Sequence, residues 1–543
     1  MFFLIDLWTH PVLQSNIYYF SFIGAAVLCT TWLLSRRVGA TTPPGPRGLP
    51  FIGNVLNIPS NHPWKIYQKW SRDNGSDLLF LRLPGHSLLI LNSAKAAQDL
   101  LVQRSNIYSD RCVYRAALSR EAETRKKFDR PVSTMLSDLM GMSWVFGLMQ
   151  YGDQWKQHRK LFHREFTGTP AVRIHELNAA RRLLNRLLTS SVNYARDMQL
   201  TTGDMILSAT YGITPKSEDD YFIQLAESLV GAMAAVAAGG FLVDMLPSLR
   251  FVPKWFPGGG FKHKAEHWKR LGDKARTVPF DHVKKQLADG TATPSIASHF
   301  LESLQDNDLG GIETREQMQN ILAEAYLGGA GATVGTLCSF VLAMSLYPDV
   351  QKKAQAAVDD ALSGQRLPDF SDYGTIPYLD AVVNEVLRWH PGAPLGLFHA
   401  ANKDDYYEGY LIPKGTMISP NVWAILHDES IYGVDTEDFV PERFLTADGR
   451  KRNDIPDTDI AFGFGRRICP GKLMGRETLW ITAASILAVF QISDPVDREG
   501  KPLDPNAIEY TNSMSSRPPY FDCTIKLRNA AAESMVLDGI NEG

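Results

Sequence analysis

Residues 462–471 read FGFGRRICPG, and Cys469 within that stretch has no second cysteine near it. Gly463, Gly465 and Gly471 surround it, and glycine lets backbone approach a ligand closely. Arg466 and Arg467 place positive charge beside Cys469, which favours a thiolate and can pair with carboxylates. A helix is expected directly afterwards, over Lys472–Ile481, and its N-terminus also favours a thiolate. A soft anionic ligand offered by a glycine loop suits a haem iron. The competing reading is a buried, inert cysteine in a turn, the commoner fate of a lone cysteine.

The remaining cysteines do not form a framework around it. The chain has five, at Cys29, Cys112, Cys338, Cys469 and Cys523, with no CxxC pair. That excludes a zinc ribbon or a thioredoxin-type motif. An odd, sparse set argues against structural disulfides and for reduced, cytosol-facing thiols. The 543 residues give a soft prior of three or four domains at about 150 residues each. A net charge of −3 points away from a nucleic-acid partner. With 44% hydrophobic and 21% charged residues, wholesale disorder and a polytopic membrane protein are both excluded.

Upstream of the cysteine loop, two helices carry further signals. Pro377–Trp389 has one apolar stripe, with Glu385 and Arg388 three apart and off it. On spacing alone they form an ordinary surface pair. A longer helix is expected from Thr314, where Thr314 and Gln317 have capping-box spacing, to Tyr347 before Pro348. It would run about 50 Å through the core. Its middle contains Gly328, Gly329 and Gly331, each costing about 1 kcal/mol relative to alanine. That cost suggests something flat and bulky against the backbone. A phosphate loop would need Gly-Lys-Ser/Thr after the glycines, and no lysine follows.

Leu78–Asn92 reads as a hairpin about Pro84-Gly85-His86, and Ser93 caps a short helix after it. Phe241–Phe261 is aromatic and apolar, yet its prolines and glycines forbid a long helix. It reads either as a packed loop or as a surface loop touching a membrane or guarding a lipophilic pocket.

Ile17–Leu34 is an uncharged run of 18 residues, about the minimum for spanning a bilayer. Arg36 and Arg37 follow it, which puts the bulk of the chain on the cytoplasmic side. A cleaved signal peptide would need a basic start and a shorter apolar core; only Asp6 is charged before the run. Thr41–Pro50 is proline-rich and reads as a stiff extended spacer.

Taken together, the motifs resemble the cytochrome P450 family. Phe462, Gly465, Arg467, Cys469 and Gly471 match its haem-binding loop; Trp155-x-x-x-Arg159 is similar to its propionate helix; Glu385-x-x-Arg388 and Pro441-Glu442-Arg443-Phe444 resemble its ExxR and PERF segments. The likeness runs from about Pro43 to Cys523, and is nearest to microsomal fungal members of secondary metabolism. It implies a mainly α fold with small β-sheets (α+β): an anchor segment 1–36 with its helix over 17–34, a hinge 37–50, one haem domain 51–530 and a tail 531–543. It implies haem b with Cys469 as the iron ligand. Trp155, Arg159, Arg467 and His399 would hold the propionates, Phe462 would pack beside the thiolate, and Glu385, Arg388 and Arg443 would form a buried triad. Electrons would come from NADPH through an NADPH-cytochrome P450 reductase, with cytochrome b5 as a further donor. The substrate would be lipophilic, since Gly328–Thr333, Ala393–Phe398 and Ser513–Met514 are mostly small or apolar. The setting would be the endoplasmic reticulum membrane. The basic residues Lys156, His158, Lys160 and Arg164 resemble a reductase-docking face, although a solvated helix face explains them equally.

One departure from the family stands out. Where it has an acid followed by a threonine in the long helix, this sequence has Gly331 and Ala332. Thr333 is one residue further, about 100° round the helix, and cannot simply substitute. Three explanations follow: protons from ordered water or a substrate hydroxyl, a reaction less dependent on the relay, or a haem protein without turnover.

Overall fold

The computed structural model describes residues 41–541 apart from 112–132, 190–192, 218, 238, 240, 307–311, 330 and 514. The expected anchor over 17–34 lies outside the described residues. The protein is mainly helical with small sheets, and its largest sheet is assembled from distant pieces of chain. β1 (Leu78–Leu83) and β2 (His86–Leu91) form the expected hairpin, with Leu83 opposite His86 across a turn at Gly85. β2 then pairs in parallel with β7 (Met417–Pro420), which pairs with β4 (His399–Ala400), and β4 with β3 (Asp110–Arg111). β5 (Asp405–Tyr407) with β6 (Tyr410–Ile412), and β8 (Phe490–Val496) with β9 (Asp522–Leu527), make smaller hairpins. Ser93 caps its helix as expected, accepting the Ala96 N–H.

The proline segment is docked onto the sheet. The Phe80 N–H donates to Pro44 O at 2.8 Å, and Leu411 N–H to Thr41 O at 2.9 Å. A Cβ on Gly45 would lie 2.0 Å from Phe80 O, so only glycine permits that approach.

The helices that build the site are α1 (Asp153–Phe166), α2 (Pro170–Thr189), α3 (Tyr194–Tyr211), α4 (Ile312–Gly329), α5 (Ala332–Leu346), α6 (Pro348–Leu362), α7 (Pro377–Trp389) and α8 (Lys472–Val489). They enclose two large hydrophobic clusters. One joins α2, α5, α6, α7 and α8 through residues such as Leu183, Val341, Val358, Val386 and Leu487. The other joins α1 and α4 through Phe162, Ile321 and Leu322. α3 serves both, with Met205 in the first and Ile206 in the second.

The long helix expected over Thr314–Tyr347 is present as a helical run over Thr314–Leu346, in two segments that meet near Gly331. α4 ends at Gly329, α5 begins at Ala332, and Gly331 is its N-cap residue at φ −110°. Glycine weakens the helix at this position, and each half is held by a different cluster. The start also differs: α4 begins at Ile312, so Thr314 lies inside the helix and caps nothing. Among the described residues, Thr314–Leu346 is the one helical stretch apolar and long enough to cross a membrane, and 65% of its apolar window is buried within the protein.

Candidate functional site

The Cys469 loop closes on itself through the Cys469 N–H, which donates to Phe462 O at 2.8 Å. Its glycines divide the labour. Gly463 sits at φ +92° and Gly465 at φ +55°. A Cβ on Gly465 would stand 2.1 Å from Leu101 O, so Gly465 is fixed by packing against the 98–103 helical turn, not by approach to a ligand. A Cβ on Gly471 would make only an ordinary contact, 4.0 Å from Cys469 Sγ. The Phe462 ring lies against Gly475, where a Cβ would stand 3.3 Å from it.

Cys469 is solvent-accessible, yet burial dominates its acidity. Both hold for a side chain on the floor of an internal cavity. Burial pushes the thiol up, and the Gly471 N–H and the Arg159 charge oppose it without overcoming it. Of the groups expected to favour a thiolate, neither Arg466 nor Arg467 is among those that act on Cys469; the opposing charge comes from Arg159. Arg467 points elsewhere, donating to Ser109 O at 2.7 Å and Met149 O at 2.6 Å. Arg466 is exposed and lies over the Tyr151 ring at 4.9 Å.

α4 and α5 present a row of accessible residues, one of which, Glu324, acts electrostatically on Cys469. Glu324 and Thr336 are partly accessible, Gly328 and Ala332 are exposed, and the residues from Leu337 to Ser345 are all buried. The spacing of four puts Glu324 and Gly328 on one face of α4, and Ala332 and Thr336 on one face of α5. A Cβ at Gly328 or Gly331 would meet nothing within 4 Å. Gly329 differs: its Cβ would lie 3.1 Å from Ile206, so this glycine lets α4 pack on α3. Thr333 is partly accessible, and the Thr336 hydroxyl donates to Ala332 O at 3.2 Å. Met514, expected near the pocket, lies outside the described residues. Leu397 and Phe398 are exposed.

The wall of the cavity is cationic. Arg159, on α1, donates to Ile468 O at 2.6 Å. The Arg467 guanidinium stacks over the buried Trp155 ring at 4.6 Å. Arg111 is buried and donates to Gly147 O at 2.8 Å and Phe398 O at 3.0 Å. Sequence reasoning missed Arg111, because nothing in its spacing marks it; β3 brings it opposite His399 only in the fold. Burial and the mutual repulsion of these groups push Arg467 down to about 9, and burial alone pushes Arg111 down to about 10. Among the described residues no carboxylate makes an ion pair with Arg111, Arg159 or Arg467. Arg467 Nη1 is buried without a hydrogen-bond partner. Buried cations held only by carbonyls are costly unless an anion completes them.

His399 sits at the same edge. Its Nδ1 donates to Tyr108 O at 2.8 Å, and burial with Arg111 and Arg467 nearby pushes it down to about 3. The ring is therefore neutral, with Nε2 as an acceptor.

The Glu385–Arg388 pair is fully buried, unlike the surface pair that spacing alone suggests. Arg388 grips Glu385 with bonds of 2.7 and 2.8 Å, and Arg443 adds one of 3.1 Å. The Val440 N–H donates to Glu385 Oε1 at 2.8 Å, and Arg388 donates to Thr436 O and Asp438 O. This network pins the 436–443 segment to α7.

The basic cluster on α1 is smaller than expected. Lys156, Lys160 and Arg164 are exposed, but His158 is buried, with its ring donating to Gln154 O.

Three guanidiniums in want of an anion beside a lone thiol fit the two carboxylates of a haem with a thiolate-bound iron. The Cytochrome P450 family model matches residues 43–520, and the chain belongs to the cytochrome P450 family. It is similar to the cytochrome P450 monooxygenase eriA of Hericium erinaceus, 68% identical over 541 residues that cover 99% of both chains. It is 38% identical to a cytochrome P450 monooxygenase of Armillaria gallica, over 94% of this chain and 97% of that one. It is 36% identical to a tryptamine 4-monooxygenase of Psilocybe cyanescens, over 91% and 95%. The chain is thus an oxidoreductase of the haem monooxygenase type, in a family that generally works with a redox partner.

Proposed function

We propose that this protein hydroxylates a lipophilic secondary metabolite, such as a terpenoid or polyketide, with O₂ and with electrons from NADPH through an NADPH-cytochrome P450 reductase, cytochrome b5 serving as a further donor. The observation that carries the haem placement is the set of guanidiniums, Arg111, Arg159 and Arg467, that no described carboxylate neutralises. Haem b bound there supplies oxygen activation, in which the thiolate favours O–O cleavage.

In this reading Cys469 binds the iron. Arg111, Arg159 and Arg467, with Trp155, hold the haem carboxylates. His399 joins them when either its ring or the carboxyl carries an extra proton. Gly465 and Gly471 shape the loop beside Phe462, and Glu385, Arg388 and Arg443 keep the proximal side in place. Gly328, Gly331 and Ala332 line the roof with almost no side chain, leaving room for a bulky apolar substrate. Leu397 and Phe398 add apolar wall.

The endoplasmic reticulum membrane suits such a substrate. The run over 17–34 serves as a single-pass anchor, with the catalytic domain in the cytosol. The Phe241–Phe261 segment, which folds as a short helix Leu242–Met245 and a turn Pro247–Phe251, exposes Leu242, Phe251 and Trp255, the last at 81%. Apolar side chains so exposed suit a bilayer surface. Lys156, Lys160 and Arg164 offer an acidic reductase a docking face.

Coexpression with a reductase, followed by mass spectrometry of lipophilic candidates, tests the activity: a gain of one oxygen supports it. A reduced carbon-monoxide difference spectrum tests the premise, and a red-shifted Soret band that survived Cys469→Ser would sink it. Gly331 and Ala332 favour a second reading, atypical chemistry such as desaturation, rearrangement or peroxide-driven oxidation, or a haem protein without turnover. Product formed with peroxide and no reductase selects peroxide-driven chemistry.

A further inference from the structure

The accessible row on α4 and α5 contains one ionisable side chain, Glu324, and the mechanism above does not use it. Its carboxyl reaches across to the loop before α1. Oε2 accepts the Phe146 N–H at 2.6 Å and Oε1 accepts the Gly147 N–H at 2.8 Å. The same loop then faces the other way. Gly147 O accepts from Arg111 Nε at 2.8 Å, and Met149 O accepts from Arg467 Nη2 at 2.6 Å. Arg111 continues to Leu397 O and Phe398 O, beside His399. An unbroken chain of bonds therefore leads from the roof helix to the cationic wall.

We propose that Glu324 is a positioning residue for the haem carboxylates: by pinning the Phe146–Gly147 peptides it fixes the carbonyls that aim Arg111 and Arg467. This rests on the haem reading given above. The same contact is tight, because a Cβ on Gly147 would stand 2.8 Å from Glu324 Oε1, so a side chain at Gly147 requires the carboxyl to shift. Burial pushes the Glu324 carboxyl up to about 8, opposed first by the Gly147 and Phe146 N–H bonds and then by the Arg111 and Arg467 charges, and its field also reaches Arg159 and Cys469. Both oxygens accept peptide N–H groups, so Glu324→Gln keeps the size and one acceptor but turns an amide donor towards the other N–H.

The test uses the full-length haem-loaded protein, its Glu324→Gln and Gly147→Ala variants, and the double variant. Haem release is followed by capture on apomyoglobin, and the reduction potential is measured alongside. Each single variant should release haem roughly 10-fold faster, the scale of one weakened hydrogen bond to a charged group. Each should also shift the potential, and the double variant should be no faster than the faster single. Unchanged release and potential overturn the inference; so does an additive double variant, or an effect confined to Glu324→Gln. If Glu324→Gln does not accumulate as folded protein, Gly147→Ala decides alone, since it leaves the acid in place. A wild-type protein that takes up no haem overturns the haem reading itself, whereas a haem-loaded wild type with unaffected variants overturns this inference alone.

Discussion

Arg159 donates to the carbonyl of Ile468 at 2.6 Å, so the cationic wall is tied to the backbone one residue before Cys469. Nη1 alone makes that tie, which leaves the rest of the guanidinium fork for a haem carboxylate, a two-point grip that a lysine cannot reproduce. Arg159→Lys and Arg159→Ala should both lower the haem-loaded fraction several-fold, measured as haem absorbance per unit of protein. Full loading of Arg159→Lys would show that charge alone suffices.

Glu385 holds two buried arginines and a backbone N–H at once. Glu385→Gln leaves buried charge uncompensated, which costs about 3–5 kcal/mol against a total stability of about 5–15. Thermal unfolding followed by circular dichroism should show a large loss of Tm or no folded protein. A change of a degree or two would mean that the triad contributes little.

Gly465 and Gly471 share one loop, but only Gly465 is sterically fixed. Gly465→Ala meets both a positive φ and Leu101 O, and should cost about 1–3 kcal/mol. Gly471→Ala meets neither at φ −86°, and should stay within about 0.5 kcal/mol. Denaturant midpoints of the two proteins separate these outcomes.

Glu176, on α2, accepts the Thr478 hydroxyl at 2.7 Å through one oxygen and buries the other unpartnered. Burial raises its carboxyl well above the ordinary value of 4.5. The folded protein thus holds this proton more tightly than the unfolded chain does. Its contribution to stability is complete below about pH 4.5 and is lost as pH rises towards the raised value. Glu176→Gln should flatten that decline in a series of melts across pH, and an unchanged slope would assign the decline to other groups.

The acid and alcohol absent at Gly331 and Ala332 can be restored together. Gly331→Asp with Ala332→Thr should raise the product formed per NADPH consumed. A wild type already fully coupled, and a double variant that is worse, would show that protons arrive by another route.

Several of these features were legible in the sequence and others were not, for reasons that individual residues make plain. The Cys469 loop and the helix after it follow from local glycine and charge patterning. The burial of Glu385 does not, since the groups that satisfy it arrive from Val440 and Arg443, more than fifty residues on. Sequence adjacency is not spatial adjacency on α1: Lys156, Lys160 and Arg164 recur every four residues on one helical face, whereas His158 falls about 200° from Lys156. Arg111 and Glu324 are single residues without a repeating partner, and only tertiary pairing gives them meaning. A lone acid in ILAEAYLGG, an otherwise apolar helical run, was the one available sign, because carboxylates are rarely buried without a purpose.

The division of the long helix at Gly331 has a mechanical consequence. Its two halves are rooted in separate hydrophobic clusters, one shared with α1 and the other with α2, α7 and α8. With the helix interrupted there, it is α3, packed into both masses through Met205 and Ile206, that ties one wall of the protein to the other across the break.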